Sequence, residues 1–133
     1  MPFSELFYHI IIKIETGEKL HPVTIKLIDT KIEEVISSIG GKQIAAKSLE
    51  DHVHLLVAMP PIAAPDDIVS EIKERTTELI SGLGRDEKLE WAKGYGIVSV
   101  SNSHIELVTK YIATQEKRHA EGKINATLEK TET

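Results

Sequence analysis

A chain of 133 residues, 41% apolar and 28% charged, has material for one hydrophobic core rather than two. It has no cysteine, which excludes disulfide staples, thiolate metal sites and a cysteine nucleophile, so any metal must be held by histidine and oxygen. The net charge of −5 argues against affinity won by bulk phosphate neutralisation, and the absence of a long apolar run or a secretory start in MPFSEL argues for a cytoplasmic protein.

Phe7 to Ile14 (FYHIIIKI) is β-branched or aromatic and ends in Glu15-Thr16-Gly17-Glu18, which predicts a first strand and a turn. From Val23 to Ile39 the residues Val23, Leu27, Ile28, Ile32, Val35, Ile36 and Ile39 recur at spacings of three and four before Gly40-Gly41, the pattern of a helix and its stop. Lys42 to Leu49 alternates weakly, Ile44, Ala46 and Ser48 against Gln43, Ala45 and Lys47, and suits an edge strand. His52 to Met59 (HVHLLVAM) is the strongest strand, ended by Pro60-Pro61.

Asp66 or Asp67 is then placed to cap a helix with the stripe Ile68, Val69, Ile72, Leu79 and Ile80, stopped by Gly82 and Gly84. Residues 66–90 carry eight acids against four bases, which leaves the rest of the chain at −1 and keeps a phosphate-binding face open elsewhere. Ile97 to Val100 makes a short strand behind Gly94-Tyr95-Gly96, and Ser101 or Ser103 caps a last helix from about His104 to Ala120, closed by Gly122. One domain is expected over residues 1–123, with a loosely ordered tail over 124–133.

This order is the split βαβ pattern of a ferredoxin-like α+β domain with one helix added at the end. Its antiparallel sheet would carry both internal helices on one face. The other apolar face would then call for a partner, which predicts a dimer.

Alternation puts His52, His54, Leu56 and Ala58 on one face of the third strand and Val53, Leu55, Val57 and Met59 on the other. The two imidazoles are either half-exposed histidines at a strand end or a pair that presents nitrogens to one ion at about 2.0 to 2.3 Å. Asp51 and Glu50 stand beside them to orient a ring nitrogen. On the last helix Tyr111 and Gln115 lie one turn apart, flanking the stripe of Ile105, Val108 and Ile112. Tyr111 reads either as a core-edge tyrosine or as a nucleophile, and Gln115 offers a neutral oxygen able to complete a His, His, oxygen site.

In chain order, Asp51-His52-Val53-His54-Leu55-Leu56-Val57, Trp91-Ala92-Lys93-Gly94-Tyr95-Gly96-Ile97-Val98-Ser99-Val100 and Tyr111-Ile112-Ala113-Thr114-Gln115 resemble the single-tyrosine, HUH-type transposases of small insertion sequences and REP-associated elements. Phe7-Tyr8-His9 and Arg118-His119-Ala120-Glu121-Gly122 resemble the ends of that family. The resemblance implies a prokaryotic, nucleoid-associated homodimer that cuts and rejoins single-stranded DNA bearing a hairpin. It implies Tyr111 as the nucleophile of a 5′-phosphotyrosine intermediate, and His52, His54 and Gln115 as ligands of Mg²⁺ or Mn²⁺.

The same resemblance implies an active site shared between chains, histidines from one and Tyr111 from the other. Asp51 is expected near that site, and His9 and His104 either near it or in structural roles. Lys13, Lys42, Lys47, Lys73, Lys93, Lys110, Lys117 and Arg118 are candidates for phosphate contacts or plain solubilising surface, and Tyr95 and Trp91 for base stacking or packing. A phenol of pKa about 10 needs help to lose its proton at neutral pH, and the sequence identifies no base.

Two other classes fit parts of the pattern. A histidine-triad nucleotide hydrolase would need its third histidine at Leu56. A non-catalytic, RRM-like nucleic-acid-binding dimer would have no use for two histidines, Tyr111 and Gln115 together.

Overall fold

The two runs richest in apolar and β-branched residues, β1 (Phe7–Lys13) and β3 (His52–Ala58), pair antiparallel at the centre of a four-stranded sheet. The computed structural model, which describes residues 3–15, 20–114, 122 and 126–131, places β2 (Lys42–Ser48) and β4 (Gly96–Val100) on the two edges, in the order β2-β3-β1-β4. All the pairings are antiparallel, as the ferredoxin-like reading requires.

Helices α1 (Pro22–Ser38) and α2 (Pro65–Ser81) lie on one face of the sheet. There Ile10, Ile12, Val53 and Leu55 meet Ile28, Ile32, Ile36, Ile68 and Ile72 in the main core. At the end of α1 the chain turns through Gly40 at φ +91, a conformation that costs a side chain energy but not glycine.

Local details differ from the sequence reading. The α2 N-cap is Ala64, without a side-chain cap, and Pro65 takes the first helical position; Asp66 and Asp67 instead stand in the first turn, where the helix dipole favours acids. Glu87, drawn from the acidic stretch, reaches back to α1, accepting hydrogen bonds from the His21 backbone N–H (2.9 Å) and the Thr24 hydroxyl (2.6 Å). The Thr24 hydroxyl, first among its partners, holds the Glu87 carboxyl below the ordinary carboxylate range.

A bulge between Gln43 and Ala45 breaks the simple alternation of β2. As a result Ile44 and Ala45 both pack on the second face, while Ala46 packs on the main core.

That second face is filled by the chain itself. A 3₁₀ turn (Asn102–His104) leads directly into α3 (Ile105–Ala113), which lies over β2 and β3 and packs Val108 and Ile112 with Leu56 and Val100. Ser101 and Ser103 do not cap the helix; their hydroxyls meet the His104 ring at 2.6 and 3.1 Å. A C-terminal turn (Ala126–Glu129) lies over β1 and β4. The argument for a dimer from a bare sheet face therefore lapses, because α3 and the C-terminal turn of the same chain lie over that face. Among the described residues no helix is long and apolar enough to cross a membrane.

Leu55 is 1% exposed at the centre of the main core. Leu55→Ala is expected to lower stability by about 3 kcal/mol, the usual cost of lost burial plus a cavity, measured as a shift of the urea midpoint without a change in slope.

Candidate active site

The face of the sheet opposite α1 and α2 carries three histidines. Alternation along β3 turns His52 and His54 away from Val53 and Leu55, and the antiparallel register sets Lys13 opposite His52, Ile11 opposite His54 and His9 opposite Leu56. Covered from above, His9, His52 and His54 are only 1%, 6% and 0% exposed. The His52 and His54 rings meet edge to face with centroids 4.9 Å apart, and the His9 and His54 rings lie 5.1 Å apart.

Each ring is oriented by a partner. The His52 Nδ1–H donates to Asp51 Oδ1 at 2.6 Å, which leaves the Nε2 lone pair directed away from that carboxylate. His54 Nδ1 is 2.9 Å from His9 Nε2, and His54 Nε2 is 3.2 Å from Glu129 Oε1 and 3.1 Å from Glu129 Oε2.

Glu129 comes from the C-terminal turn and is the meeting point of the site. Its Oε1 lies 3.7 Å from His52 Nε2, and its Oε2 accepts a 2.7 Å hydrogen bond from the Tyr111 hydroxyl. The Tyr111 ring stands edge-on to His54 at 6.1 Å, so α3 and β3 of one chain bring the phenol to the imidazoles.

One donor atom each from His52, His54 and Glu129 lies within 4.8 Å of the others. Two ligands on an ion at about 2.1 Å, held at right angles, are about 3 Å apart. The Nε2-to-carboxylate distances of 3.1 to 3.7 Å therefore suit a divalent cation, and imidazole with carboxylate is a donor set that such ions accept.

His9 decides which protons the pair carries. When its Nε2 accepts from His54 Nδ1–H, His54 Nε2 offers a lone pair to a cation; when its Nε2–H donates, His54 Nε2–H donates to Glu129 instead. The first arrangement needs a neutral His9, because its Nε2 must keep a lone pair. Burial, helped by the His54 imidazole and opposed by Glu129, lowers the His9 pKa from 6.5 to about 4.

The other expected residues divide by position. Lys13 lines a groove of about 570 Å³ that opens beside Glu129, together with Asp51, Gly94 and Lys130. Lys47 is the register partner of His54 on β2, while Lys42 lies at the other end of that strand, opposite Ala58.

Lys73 donates to the carbonyls of Ala92 (2.8 Å) and Lys93 (3.1 Å), and Lys110 pairs with Glu106 at 3.6 Å. Lys93 is exposed on the loop before β4. Tyr95 packs on the main core and donates to Asp66 at 2.9 Å, and Trp91, on the same core, donates to Thr76 at 2.9 Å. His104 binds Ser101 and Ser103 at the start of α3. Gln115, Lys117 and Arg118 lie outside the described residues.

The family model described as "Transposase IS200 like" matches residues 2–115. The chain belongs to the IS200-like transposase family. Among proteins of curated function none matches this sequence. Two solved structures share its fold. One is a REP-associated tyrosine transposase bound to a REP hairpin, 14% identical with a TM-score of 0.70, covering 93% of this chain and 73% of its own. The other is a presumptive transposase from Deinococcus radiodurans R1, 19% identical with a TM-score of 0.63, covering 92% of this chain and 93% of its own.

For this IS200-like transposase the residue that sequence reasoning missed is Glu129. A single acid between Leu128 and Lys130 has neither periodicity nor motif to mark it; only the path of the chain back over the sheet brings it to the histidines.

The lowered His9 pKa carries a stability consequence. Between pH 6.5 and 4 the unfolded chain binds a proton at residue 9 that the fold does not, so the contribution is complete above pH 6.5 and is lost as pH falls towards 4. That loss amounts to about 3 kcal/mol. In urea titrations across this window, His9→Leu is expected to lose less stability than the wild type; parallel pH profiles for the two would contradict a neutral buried His9.

Proposed function

We propose that this transposase cleaves and rejoins single-stranded DNA through a 5′-phosphotyrosine on Tyr111, beside a Mg²⁺ or Mn²⁺ ion held by His52 and His54. The observation that carries this reading is the Tyr111 hydroxyl bound at 2.7 Å to the same carboxylate that contacts His54 at 3.1 Å. A core-edge tyrosine has no reason to converge with a buried histidine pair. Membership of a transposase family supports the same reading.

His52 Nε2 and His54 Nε2 are the nitrogens that would hold the ion, with a Glu129 oxygen as third donor among the described residues and Gln115, outside them, as the ligand that the family resemblance implies. When bound, the divalent ion supplies a Lewis acid that offsets charge on the scissile phosphate. Asp51 and His9 keep both rings in ligating orientation.

The Tyr111 oxygen attacks phosphorus in line; the new O–P bond forms as the P–O3′ bond breaks. The phenol proton passes to Glu129 Oε2, the acceptor already in hydrogen-bond contact, and the departing 3′ oxygen takes a proton from water. The phosphotyrosine preserves an ester, so a different 3′-hydroxyl can reverse the step with little net change in free energy, which suits strand exchange over hydrolysis.

Tyr111 and both histidines converge within one chain, so this reading does not require the shared dimeric site that the resemblance implies. The hairpin seen with the REP-associated relative makes a hairpin-bearing strand the substrate of choice. Lys13 and Lys130, which line the groove beside Glu129, are candidates to contact the phosphates of such a strand.

Incubated with Mn²⁺ and hairpin-bearing single strands, the protein is expected to form a covalent adduct on the 5′ side of the cut. Tyr111→Phe is expected to abolish that adduct; its persistence would refute the nucleophile. His52→Ala and His54→Ala are expected to stop metal-dependent nicking while far-UV circular dichroism stays unchanged, and undiminished nicking would return both to structural histidines. Lys13→Ala is expected to weaken binding of all single strands alike and to lower the salt slope of log K by about 0.7, the value for one phosphate contact.

A further inference from the structure

The sequence motif Gly94-Tyr95-Gly96 is only half explained by the site as described. Tyr95 is engaged with Asp66 and the main core, which leaves Gly96. Gly96 opens β4 and pairs with Ile11 of β1, which pairs in turn with His54 of β3 and so with Lys47 of β2. Directly paired residues point to the same face, so Gly96 stands in one row with His54, across the sheet, on the catalytic side.

A β-carbon on Gly96 would clash with the carbonyl oxygen of Lys130 and would sit 2.7 Å from Ile11 Cγ2. Ile11 is 1% exposed and has no room to yield. The backbone of the C-terminal turn thus rests directly on the bare backbone of β4. Lys130 is the residue next to Glu129, so the position of that carbonyl fixes where the carboxylate starts. From there Glu129 spans β1 to reach His54 and Tyr111.

We infer that Gly96 is a positioning residue, a side-chain-free notch that seats the C-terminal turn so that Glu129 completes the divalent-cation site of His52 and His54. The inference rests on the reading of the histidine pair as a cation site and adds a requirement in β4, a strand that supplies none of the three donors. Any side chain at residue 96 lifts the turn, withdraws one of three donors and leaves the two imidazoles in place.

The test is Mn²⁺ affinity of the full chain, read from the electron paramagnetic resonance signal of free Mn²⁺, with no DNA present. Glu129→Ala is expected to weaken binding about tenfold, and Gly96→Ala by a similar factor, within the range known for residues that orient metal ligands. The double variant is expected to bind no more weakly than either single one, because both remove the same donor. A purely structural role for Gly96 would lower the melting temperature and leave Mn²⁺ affinity at the wild-type value, and that result overturns the inference.

Multiplying effects in the double variant overturn it too, as does tighter Mn²⁺ binding by Glu129→Ala, which would make the carboxylate a competitor of the ion. Should Gly96→Ala fail to fold, Leu128→Ala replaces it. That change loosens the turn from the half-buried side chain of Leu128 and leaves β4 intact, with the same loss of affinity expected and an unchanged affinity overturning the inference. If the Mn²⁺ results are as expected but the wild type forms no covalent adduct on DNA, the notch stands and the nuclease reading falls.

Discussion

A strand must turn successive side chains to opposite faces, and β3 puts that constraint to two uses. Val53, Leu55 and Val57 hold α1 and α2 against the sheet, while His52 and His54, one residue out of phase, stand under α3 and the C-terminal turn. The apolar face therefore fixes the imidazoles to the accuracy of a packed core. A slip of one residue in register would bury the histidines among isoleucines and strip the core at the same time, so fold and site stand or fall together.

The chemistry of the second face follows from its dryness. Three imidazoles almost devoid of solvent contact cannot remain without partners at tolerable cost, and the arrangement answers with Asp51 on His52, His9 on His54 and Glu129 against His54 and Tyr111. A carboxylate in that setting is useful in two ways under the proposed function. One oxygen faces the ring nitrogens and the other faces the phenol, so charge neutralisation at phosphate and removal of the phenolic proton share one anchor.

An acidic protein is an unexpected handler of DNA, and the distribution of its charge resolves much of that tension. Two acids of residues 66–90 have structural partners, Glu87 holding the start of α1 and Asp66 holding Tyr95. Lys73 is likewise consumed by loop carbonyls. Lys13 and Lys130 line the groove next to Glu129, where under the proposed function a phosphate backbone would meet them.

From the sequence alone came the element order, the two faces of β3, the histidine pair, Tyr111 and the family resemblance, because each is written in local periodicity or in residues close together along the chain. Two things depended on contacts between distant segments: the bulge that redirects Ile44 and the covering of the second face. Glu129 is the clearest case. It lies 75 residues from His54 in sequence, and its meeting with that ring depends on a bare position in β4 and on the path of the final turn, neither of which any short-range pattern records. The tertiary structure decided it because only closure of the chain over the sheet can hold a flexible acid in a dry site.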